Sequence, residues 1–380
     1  MNPLVRHAVL GVVLTSVVLG TAACGLPPAP HATPDSPVVA ATPEPADPAG
    51  PAAASGERPE PAADVTCNDL TNPAQLDPIF AVAVNLAPPT RTYEYVGATI
   101  ADEWVVRQAG GIACQWSDPE GISTSEGRYL SGMDLRLLAA SGPQWQEYSD
   151  AEGDGSDQRF SCSEYGYCDF DVYTATGWWL SLSAFNIDAL PAPTEASLRA
   201  LTLPVFSSIA TTVAALPAPD PGWAAPTPDI AFGGGCTGVT TGERIASALG
   251  LGVAVGNESY EYPYITTAAM LSIGGSDCRW VRASDGWDIA YIEVLPGGSW
   301  AQEAAKAAME ANGATVPTPA VAGVPAGATA LYHHVDSTAL DVVLGGSWIK
   351  ISISAGSETG VLSVEDALVA IGADIAAHAG

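Results

Sequence analysis

The two halves of the chain carry the same spaced pattern of cysteine, glycine and tryptophan, and this repeat limits the possible folds more than any other feature. Cys67-Asn-Asp-Leu-Thr71 in the first half matches Cys236-Thr-Gly-Val-Thr240 in the second. Gly110-Gly-Ile-Ala-Cys114-Gln-Trp116 matches Gly274-Gly-Ser-Asp-Cys278-Arg-Trp280. Because the motifs follow in the same order, the chain is predicted to contain one domain written twice.

Two later segments extend the match between the halves. Residues 133–138 align with residues 287–292, and residues 177–183 align with residues 346–352. The first alignment pairs Asp134 with Asp288. The predicted division of the chain is a signal peptide at 1–23, a tether at 24–64, a first repeat at 65–216, a Pro-rich linker at 217–229 and a second repeat at 230–380.

Hydrophobic periodicity predicts the elements of each repeat. Residues 348–353 alternate with period two and residues 331–344 are typical of a hairpin, so both segments are predicted to be β-structure. Thr240 and Glu243 have the spacing of a capping box, which predicts a helix with Thr240 at its N-cap. The predicted order in each repeat is helix, three strands, helix, hairpin, strand, helix. This order predicts an α+β fold, with a mainly antiparallel sheet packed by two to three helices in each repeat.

The N-terminus has the three parts of a secretory signal. Arg6 precedes an apolar run of 13 residues, and small residues follow up to Cys24. The run is too short for a membrane-spanning helix, which needs roughly 20 residues. Thr21-Ala-Ala before Cys24 resembles a bacterial lipobox, although Thr21 stands where such motifs usually have Leu. Cleavage before Cys24 with lipidation of its sulfur is therefore predicted, and ordinary cleavage after Ala23 is the alternative. The Pro/Ala-rich segment that follows is predicted to be a disordered tether.

The cysteine count supports this interpretation. The chain has seven cysteines, an odd number that leaves one unpaired in an oxidising compartment. The repeat predicts the equivalent disulfides Cys67–Cys114 and Cys236–Cys278. Cys162 and Cys168, which occur only in the first half and flank a short turn, are predicted to form the third. A zinc site with cysteine ligands is the alternative to disulfides, but the sequence lacks the paired C-x-x-C spacing that is typical of such sites. Cys24 is then left for the lipid.

The charge balance limits the partners. The chain has 13 basic and 42 acidic residues, and removal of the signal with Arg6 leaves 12 − 42 = −30. Phosphate binding needs clustered Lys and Arg, so no nucleic-acid partner is predicted. The predicted partners are the membrane, through the N-terminal lipid, and an unknown envelope protein or ligand.

The sequence offers no reaction chemistry that stands out. The mature chain has only four histidines (His31, His333, His334 and His378), and the first repeat has none. Asp150 to Asp157 partly resembles a calcium loop, but Ser161 stands where a bidentate Glu is expected, which favours a solvated acidic loop. No catalytic residue, metal or cofactor is predicted.

Aromatic residues that do not recur in both halves are the candidates for an interface. Tryptophans in matched places are typical of core packing in a duplicated fold. Trp178, Tyr165, Tyr167 and His333 are the candidate interface residues, with Trp104 and Trp223 as further unmatched aromatics.

The lipobox, the Pro-rich tether, the Cys236-x3-Thr240 motif and the Cys278-Arg-Trp280 strand together resemble a family of actinobacterial envelope lipoproteins of unknown function. Related exported domains are similar to PsbP/Mog1-like folds, in which an antiparallel sheet lies between helices. The resemblance covers both repeats. It implies a fold and a location, and no reaction.

Together these features predict an extracytoplasmic protein anchored to the outer face of the cell membrane. The predicted role is a non-catalytic binding or scaffold module, and the alternatives are an envelope hydrolase or a lipid or ligand carrier. Function is expected where the halves diverge, around residues 150–173 and 329–341.

Replacement of the predicted lipidation site tests the anchor. We expect Cys24→Ser to move the protein from the membrane fraction to the soluble fraction, because each buried CH₂ of an acyl chain contributes about 0.8 kcal/mol to anchoring. The measurement is membrane fractionation with mass analysis of the N-terminal peptide. Thr21→Leu is the matched control and should retain the membrane-bound form; membrane retention of Cys24→Ser would contradict the prediction.

Overall fold

The computed structural model describes residues 58–80, 82–87, 100, 102–118, 131–140, 142–151, 155–187, 190, 193–220, 224–230, 232, 235–259, 264–311, 327–333, 337–354, 357, 359–360 and 362–379. The predicted signal peptide, Cys24 and most of the predicted tether lie outside these residues, as do His31, Trp223 and His334.

The first half forms one six-stranded antiparallel sheet with the strand order β1-β2-β3-β6-β5-β4. Its strands are β1 (Asn85–Leu86), β2 (Ile112–Ser117), β3 (Gly132–Ala139), β4 (Gln158–Ser163), β5 (Tyr167–Tyr173) and β6 (Trp178–Phe185). Its helices are α1 (Cys67–Leu70), α2 (Pro73–Leu76), α3 (Asp102–Gln108), α4 (Gly142–Ala151) and α5 (Glu195–Ala214).

The second half forms an equivalent antiparallel sheet with the strand order β10-β11-β12-β9-β8-β7. Its helices are α6 (Cys236–Val239), α7 (Gly242–Leu249), α8 (Ile265–Ser272), α9 (Ser299–Ala311) and α10 (Val364–His378). Its strands are β7 (Val255–Ser259), β8 (Ser276–Arg282), β9 (Asp288–Leu295), β10 (Ala328–His333), β11 (Ser337–Leu344) and β12 (Ser347–Ser354). The predicted α+β class with one antiparallel sheet in each repeat is confirmed.

Each sheet packs one face, its inner face, on the last helix of its half. Ile209 and Val213 of α5 are buried, and so are the equivalent Ile371 and Ile375 of α10, as the i, i+4 spacing predicts. By length and composition alone α5 could also cross a membrane. Its buried side chains instead pack against the sheet, which is the behaviour of a core helix.

Disulfides join the cysteines in the three pairs that the sequence predicts. Cys67 is bonded to Cys114 and Cys236 to Cys278, so in each repeat the bridge ties the first short helix to the strand that carries the C-x-W motif. The third bridge joins Cys162 to Cys168, which lie directly opposite each other in β4 and β5. A disulfide typically adds about 2–4 kcal/mol to the free energy of unfolding.

The predicted N-cap of α7 was placed one residue too early, and the predicted capping box with Glu243 does not form. Thr241 is the N-cap of α7 and accepts a hydrogen bond from the backbone N–H of Arg244. Thr240 instead ends the short helix α6, where its N–H donates to the carbonyl of Cys236. A one-turn helix directly before α7 therefore displaces the cap, because its last residue cannot also begin the next helix.

The predicted order of elements missed two helices in each repeat, the one-turn α1 and α6 and the longer α3 and α8. Helices α3 and α8 lie between the first and second strands of their sheets, where the sequence predicted consecutive strands. Each helix ends at the repeated Gly-Gly pair. Gly110 donates to the carbonyl of Arg107 and Gly111 to that of Val106, in the pattern of a Schellman C-cap.

The second glycine of each pair is required by close packing. A Cβ on Gly111 would lie 2.5 Å from the carbonyl oxygen of Leu137, and one on Gly275 would lie 2.8 Å from that of Val294. The first glycine has a positive φ in both repeats, 73° at Gly110 and 71° at Gly274. The Gly-Gly pair is thus the sequence signal for a helix end.

Helices α3 and α8 join the two halves through a third apolar core. Its buried residues come from both repeats and include Trp104, Val105, Trp145 and Trp179 from the first half with Ile265, Met270, Leu295 and Trp348 from the second. The ring of Trp104 lies edge-on to that of Trp300, with centroids 5.7 Å apart. Apolar packing of this extent favours cooperative unfolding of the two repeats.

Hydrogen bonds cross the same contact. Gln108 donates from Nε2 to the carbonyl of Pro296 at 2.7 Å, and its Oε1 accepts from Nε1 of Trp300 at 2.6 Å. Both polar groups of this buried amide are therefore paired across the repeats.

Truncation of one indole in the third core tests how strongly the repeats depend on each other. We expect Trp104→Ala, at a residue only 3% exposed, to cost about 3–4 kcal/mol and to separate thermal unfolding into two transitions. Trp287→Ala is the control, because Trp287 is 53% exposed and its loss should cost less than about 1 kcal/mol. Scanning calorimetry measures both; equal losses in the two variants would contradict the role of the third core.

Candidate functional site

The face of the first sheet opposite its inner face, here the outer face, carries two adjacent rows of polar side chains. Strand pairing places Arg136 opposite Ser181, Ser181 opposite Asp171, and Asp171 opposite Arg159. The next row holds Asp134, Ser183, Asp169 and Ser161 in the same strand order. Side chains two residues apart on a strand share a face, so the two rows form one polar surface across four strands.

Hydrogen bonds hold these polar groups in place. Nη2 of Arg136 lies 2.9 Å from Oδ2 of Asp102. The hydroxyl of Tyr148 donates to Asp171 at 2.7 Å, and Nη1 of Arg159 donates to the same hydroxyl oxygen at 3.3 Å. Groups oriented before a ligand arrives lose less conformational entropy on binding.

A cleft lies over this surface, and its other wall belongs to the second repeat. The cavity has a volume of about 520 Å³ and is lined by the polar rows without Asp134, together with Tyr264, the first turn of α8 and Asp277. A second cavity of about 530 Å³ adjoins it and shares Asp102, Tyr148, Tyr264, Thr266, Thr267 and Asp277. We call the two together the inter-repeat cleft, with a polar half over the first sheet and an acidic half beside α8. Volumes of this size are typical of small-molecule sites.

The acidic half contains two carboxylates directly opposite each other on neighbouring strands. Asp277 of β8 pairs with Glu293 of β9. Burial and the charge of Asp102 raise the pKa of Asp277 to about 6. Burial and the charge of Asp277 raise the pKa of Glu293 well above its usual range. One oxygen of Glu293 accepts a hydrogen bond from the backbone N–H of Ile100 at 2.7 Å.

The second repeat closes the equivalent surface. Strand pairing aligns Arg136, Ser181 and Asp171 with Glu293, Lys350 and Asp341. Nζ of Lys350 lies 2.7 Å from Oδ1 of Asp341, and the two side chains are 1% and 0% exposed. Gln302 of α9 donates to the other oxygen of Asp341 at 3.4 Å. The outer face of the second sheet is therefore paired with itself at Lys350 and Asp341, whereas Glu293, the equivalent of Arg136, lines the acidic half of the cleft.

The same pairing corrects one part of the repeat alignment. Cys114 lies opposite Leu135, and Cys278 lies opposite Ile292, so Leu135 and Ile292 are equivalent. Asp134 is then equivalent to Tyr291, and its predicted match with Asp288 is wrong. The alignment by residue type is therefore out of register along this strand, and the error is already present at Cys278, before the register shift that follows Trp280.

The predicted interface residues are not brought together. Trp178 is 1% exposed and its indole N–H donates to the carbonyl of Pro217, so its proposed exposure is wrong. Trp104 is buried as well. Tyr165 and Tyr167 are 78% and 44% exposed at the turn between β4 and β5. His333 ends β10, and its side chain lies outside the description.

Sequence reasoning found part of the cleft and missed the rest. Arg159, Ser161, Asp169 and Asp171 lie in the divergent segment 150–173 where function was expected. The contribution of α8 was missed because that helix was not predicted. The Gly-Gly pair, which is a helix-ending signal, was the feature that could have revealed it.

The cleft supplies donors and acceptors for binding rather than a defined reactive constellation. Among the described residues, no group of three or more His, Cys, Asp or Glu side chains is placed to hold a metal ion. His378 lies at the end of α10, where its Nδ1 is 2.8 Å from the carbonyl oxygen of Asp374. The arrangement can hold a small molecule between two repeats that are themselves packed together.

Comparisons with protein families, curated proteins and solved structures find no match for this chain.

The raised pKa of Asp277 gives a stability prediction with a definite sign. The folded state holds this proton more tightly than the unfolded state, so the contribution of Asp277 to stability falls as pH rises from about 4 to 6 and stays low above that range. Asp277→Asn should therefore stabilise the protein at about pH 8 and leave it unchanged at about pH 4. Because Asp277 keeps contact with solvent, we expect about 1 kcal/mol rather than the full value of the shift.

Thermal unfolding at the two pH values measures the effect. The exposed Asp157 is the matched control, since Asp157→Asn makes the same chemical change outside the cleft. A gain of equal size in both variants, or a gain that persists at low pH, would contradict the prediction.

Proposed function

We propose that this protein is an exported, membrane-anchored lipoprotein of the cell envelope that acts as a non-catalytic binding module, and that the inter-repeat cleft holds its ligand. Membership of the actinobacterial lipoprotein family belongs to the same proposal, and rests on the lipobox-like Cys24 with the paired C-x3-T and C-x-W motifs.

The three disulfides are compatible with an extracytoplasmic location. They use six of the seven cysteines and leave Cys24 over. This count, with the short apolar run before Cys24, supports anchoring by an N-terminal lipid. The linker between anchor and repeats would then set how far the cleft lies from the membrane.

The observation that carries the binding role is the difference between the two outer faces. Lys350 and Asp341 pair under α9 in the second repeat, whereas Arg136 in the first repeat keeps 22% of its side chain exposed. Two copies of one domain have thus diverged so that the second sheet pairs with itself at Lys350 and Asp341, where the first sheet opens into the cleft. A polar surface that serves only folding gains nothing from being left open, because half-buried polar groups carry a desolvation cost.

A hydrolase is the second candidate, and Asp277 is the observation that favours it. A carboxyl group with a pKa of about 6 could act as a general acid near neutral pH. Turnover of an envelope substrate that is lost in Asp277→Asn would favour this candidate over simple binding.

Capture of ligand from the envelope tests the binding role. The mature protein is incubated with an aqueous extract of the envelope, re-isolated, and its retained small molecules are identified by mass spectrometry. Ser183→Trp places an indole in the polar half and should lower retention about tenfold or more, since loss of 1.4 kcal/mol is already tenfold.

Ser207→Trp is the matched control, because Ser207 is exposed on α5 away from the cleft residues. It should retain the same molecules as the wild type. Retention of nothing by the wild type, or equal retention by all three proteins, would overturn the proposal.

A further inference from the structure

We propose that an amide bond joins the side chains of Lys350 and Asp341. It forms after folding by loss of one water, with Glu293 as the group that transfers protons. The bond cross-links two strands of the second repeat, a property separate from ligand binding in the cleft. Strand pairing places Lys350 of β12 directly opposite Asp341 of β11 on one side and Glu293 of β9 on the other. Residues directly opposite each other share a face of the sheet, so the three side chains form one row across three strands.

The two groups that would react are already in contact. Nζ of Lys350 lies 2.7 Å from Oδ1 of Asp341. Oδ1 nevertheless has no hydrogen-bond partner among the described residues, so the nitrogen approaches this oxygen outside hydrogen-bonding geometry. Buried polar atoms are normally paired, and a charge-assisted hydrogen bond is what makes a buried ion pair strong. The contact therefore brings the amine to the carboxyl group without that bond to Oδ1.

Burial favours the uncharged forms that condensation needs. The side chains of Lys350 and Asp341 are 1% and 0% exposed, and the ring of Trp348 lies 5.3 Å from Nζ. Two charges withdrawn from water carry a desolvation cost even when they are paired. Transfer of one proton from the ammonium group to the carboxylate gives a neutral amine and a neutral acid. Only the neutral amine has a free electron pair for attack on a carboxyl carbon.

A second residue holds and polarises the carboxyl group. Gln302 of α9 is 2% exposed, and its Nε2 donates to Oδ2 of Asp341 at 3.4 Å. A donor on this oxygen stabilises the negative charge that develops there when Nζ adds to the carboxyl carbon. Reacting groups that are held in place can reach effective concentrations of about 10⁵ M or more, which favours a bond that free amines and acids do not form in water.

Glu293 is suited to move the protons of this reaction. Burial and the charge of Asp277 raise the pKa of its carboxyl group well above the usual range, so the group keeps its proton to a higher pH. One of its oxygens accepts a hydrogen bond from the backbone N–H of Ile100 at 2.7 Å, which holds the group in place. Glu293 also lines the cleft, and this gives the released water a way out.

The reaction balances as a condensation. Nζ of neutral Lys350 adds to Cγ of the neutral acid Asp341, and a C–N bond forms. Glu293 accepts a proton from the nitrogen and donates its own proton to the hydroxyl group of the tetrahedral intermediate. The C–O bond then breaks and water leaves, so an ammonium and a carboxylate have become one amide and one water. Glu293 ends as it began, and the reaction consumes no oxidant or other reactant.

The divergence of the two repeats fits a cross-link at this place. The equivalent pair in the first repeat is Ser181 and Asp171, which has no amine. The adjoining strands of the first repeat are linked instead by the disulfide between Cys162 and Cys168. The second repeat has no cysteine after Cys278, so a bond between β11 and β12 would be its counterpart of that disulfide.

Tryptic mapping of the mature protein tests the bond, because trypsin does not cut after a lysine whose Nζ is acylated and has lost its charge. Lys350 is the last Lys or Arg of the sequence, and the one before it is Lys306. Residues 307–380 should therefore appear as one fragment, lighter than its sequence by one water, even after reduction and denaturation. Separate fragments of unchanged mass, 307–350 and 351–380, would overturn the inference and leave the contact as an ion pair. Loss of water elsewhere in the chain would not block this cut.

Lys350→Arg is the variant that keeps the charge and removes the amine. The guanidinium group stays protonated and is not a nucleophile, so no amide can form. Trypsin should then release 307–350 and 351–380 with no loss of water. If this variant does not fold, the map of the wild type still decides whether the bond exists.

Glu293→Gln tests the proton-transfer group, with circular dichroism to check that the variant folds. Proton transfer by a positioned side chain typically contributes about a hundredfold or more to a rate, so the linked fragment should fall about tenfold or more at a fixed time after synthesis. Glu243→Gln is the matched control, because Glu243 is exposed on α7 and undergoes the same chemical change. It should give the map of the wild type. Equal amounts of linked fragment in the two variants would contradict the role of Glu293.

Discussion

Helix α3 of the first repeat packs against helix α8 of the second, and the arrangement of the whole molecule depends on this contact. Each helix also packs on its own sheet, so the contact joins the two sheets through a core that neither repeat completes alone. Gln108 adds polar specificity by pairing both ends of its buried amide with the second repeat. The same packing sets the first turn of α8 beside the polar face of the first sheet and so creates the cleft.

Duplication explains the difference between the two sheets at the positions that face the cleft. Equivalent strand positions hold Ser181 and Asp171 in the first repeat and Lys350 and Asp341 in the second. In the second repeat a buried ion pair satisfies these positions, at the cost of desolvating both charges. In the first, Ser181 is half-buried beside the cleft, and Asp171 accepts hydrogen bonds from Tyr148 and Trp179 while it lines the cleft. A change in side-chain type at these two matched positions therefore distinguishes the closed part of one sheet from the open part of the other.

Residue types and short spacings predicted much of the fold. The C-x-W segments lie in strands, the final helices bury their i, i+4 pairs, and Cys67–Cys114 and Cys236–Cys278 form by repeat position. Helices α3 and α8 escaped prediction because α3 has only seven residues and α8 is rich in Ile and Thr, which are typical of strands. The placement of Trp178 at an interface failed because a lack of repetition says nothing about which face of a strand a side chain occupies.

The sequence by itself determined an α+β duplication, its disulfide pairs and an N-terminus typical of export. These properties depend on local periodicity, on cysteine parity and on motif order, all of which can be read along one chain. Only the tertiary structure decided where a ligand could bind. Glu293 and the backbone of Ile100 are 193 positions apart and meet at 2.7 Å, and Asp277 faces residues of the first repeat. Such a site depends on which faces of two sheets meet, and apolar packing between distant helices sets that.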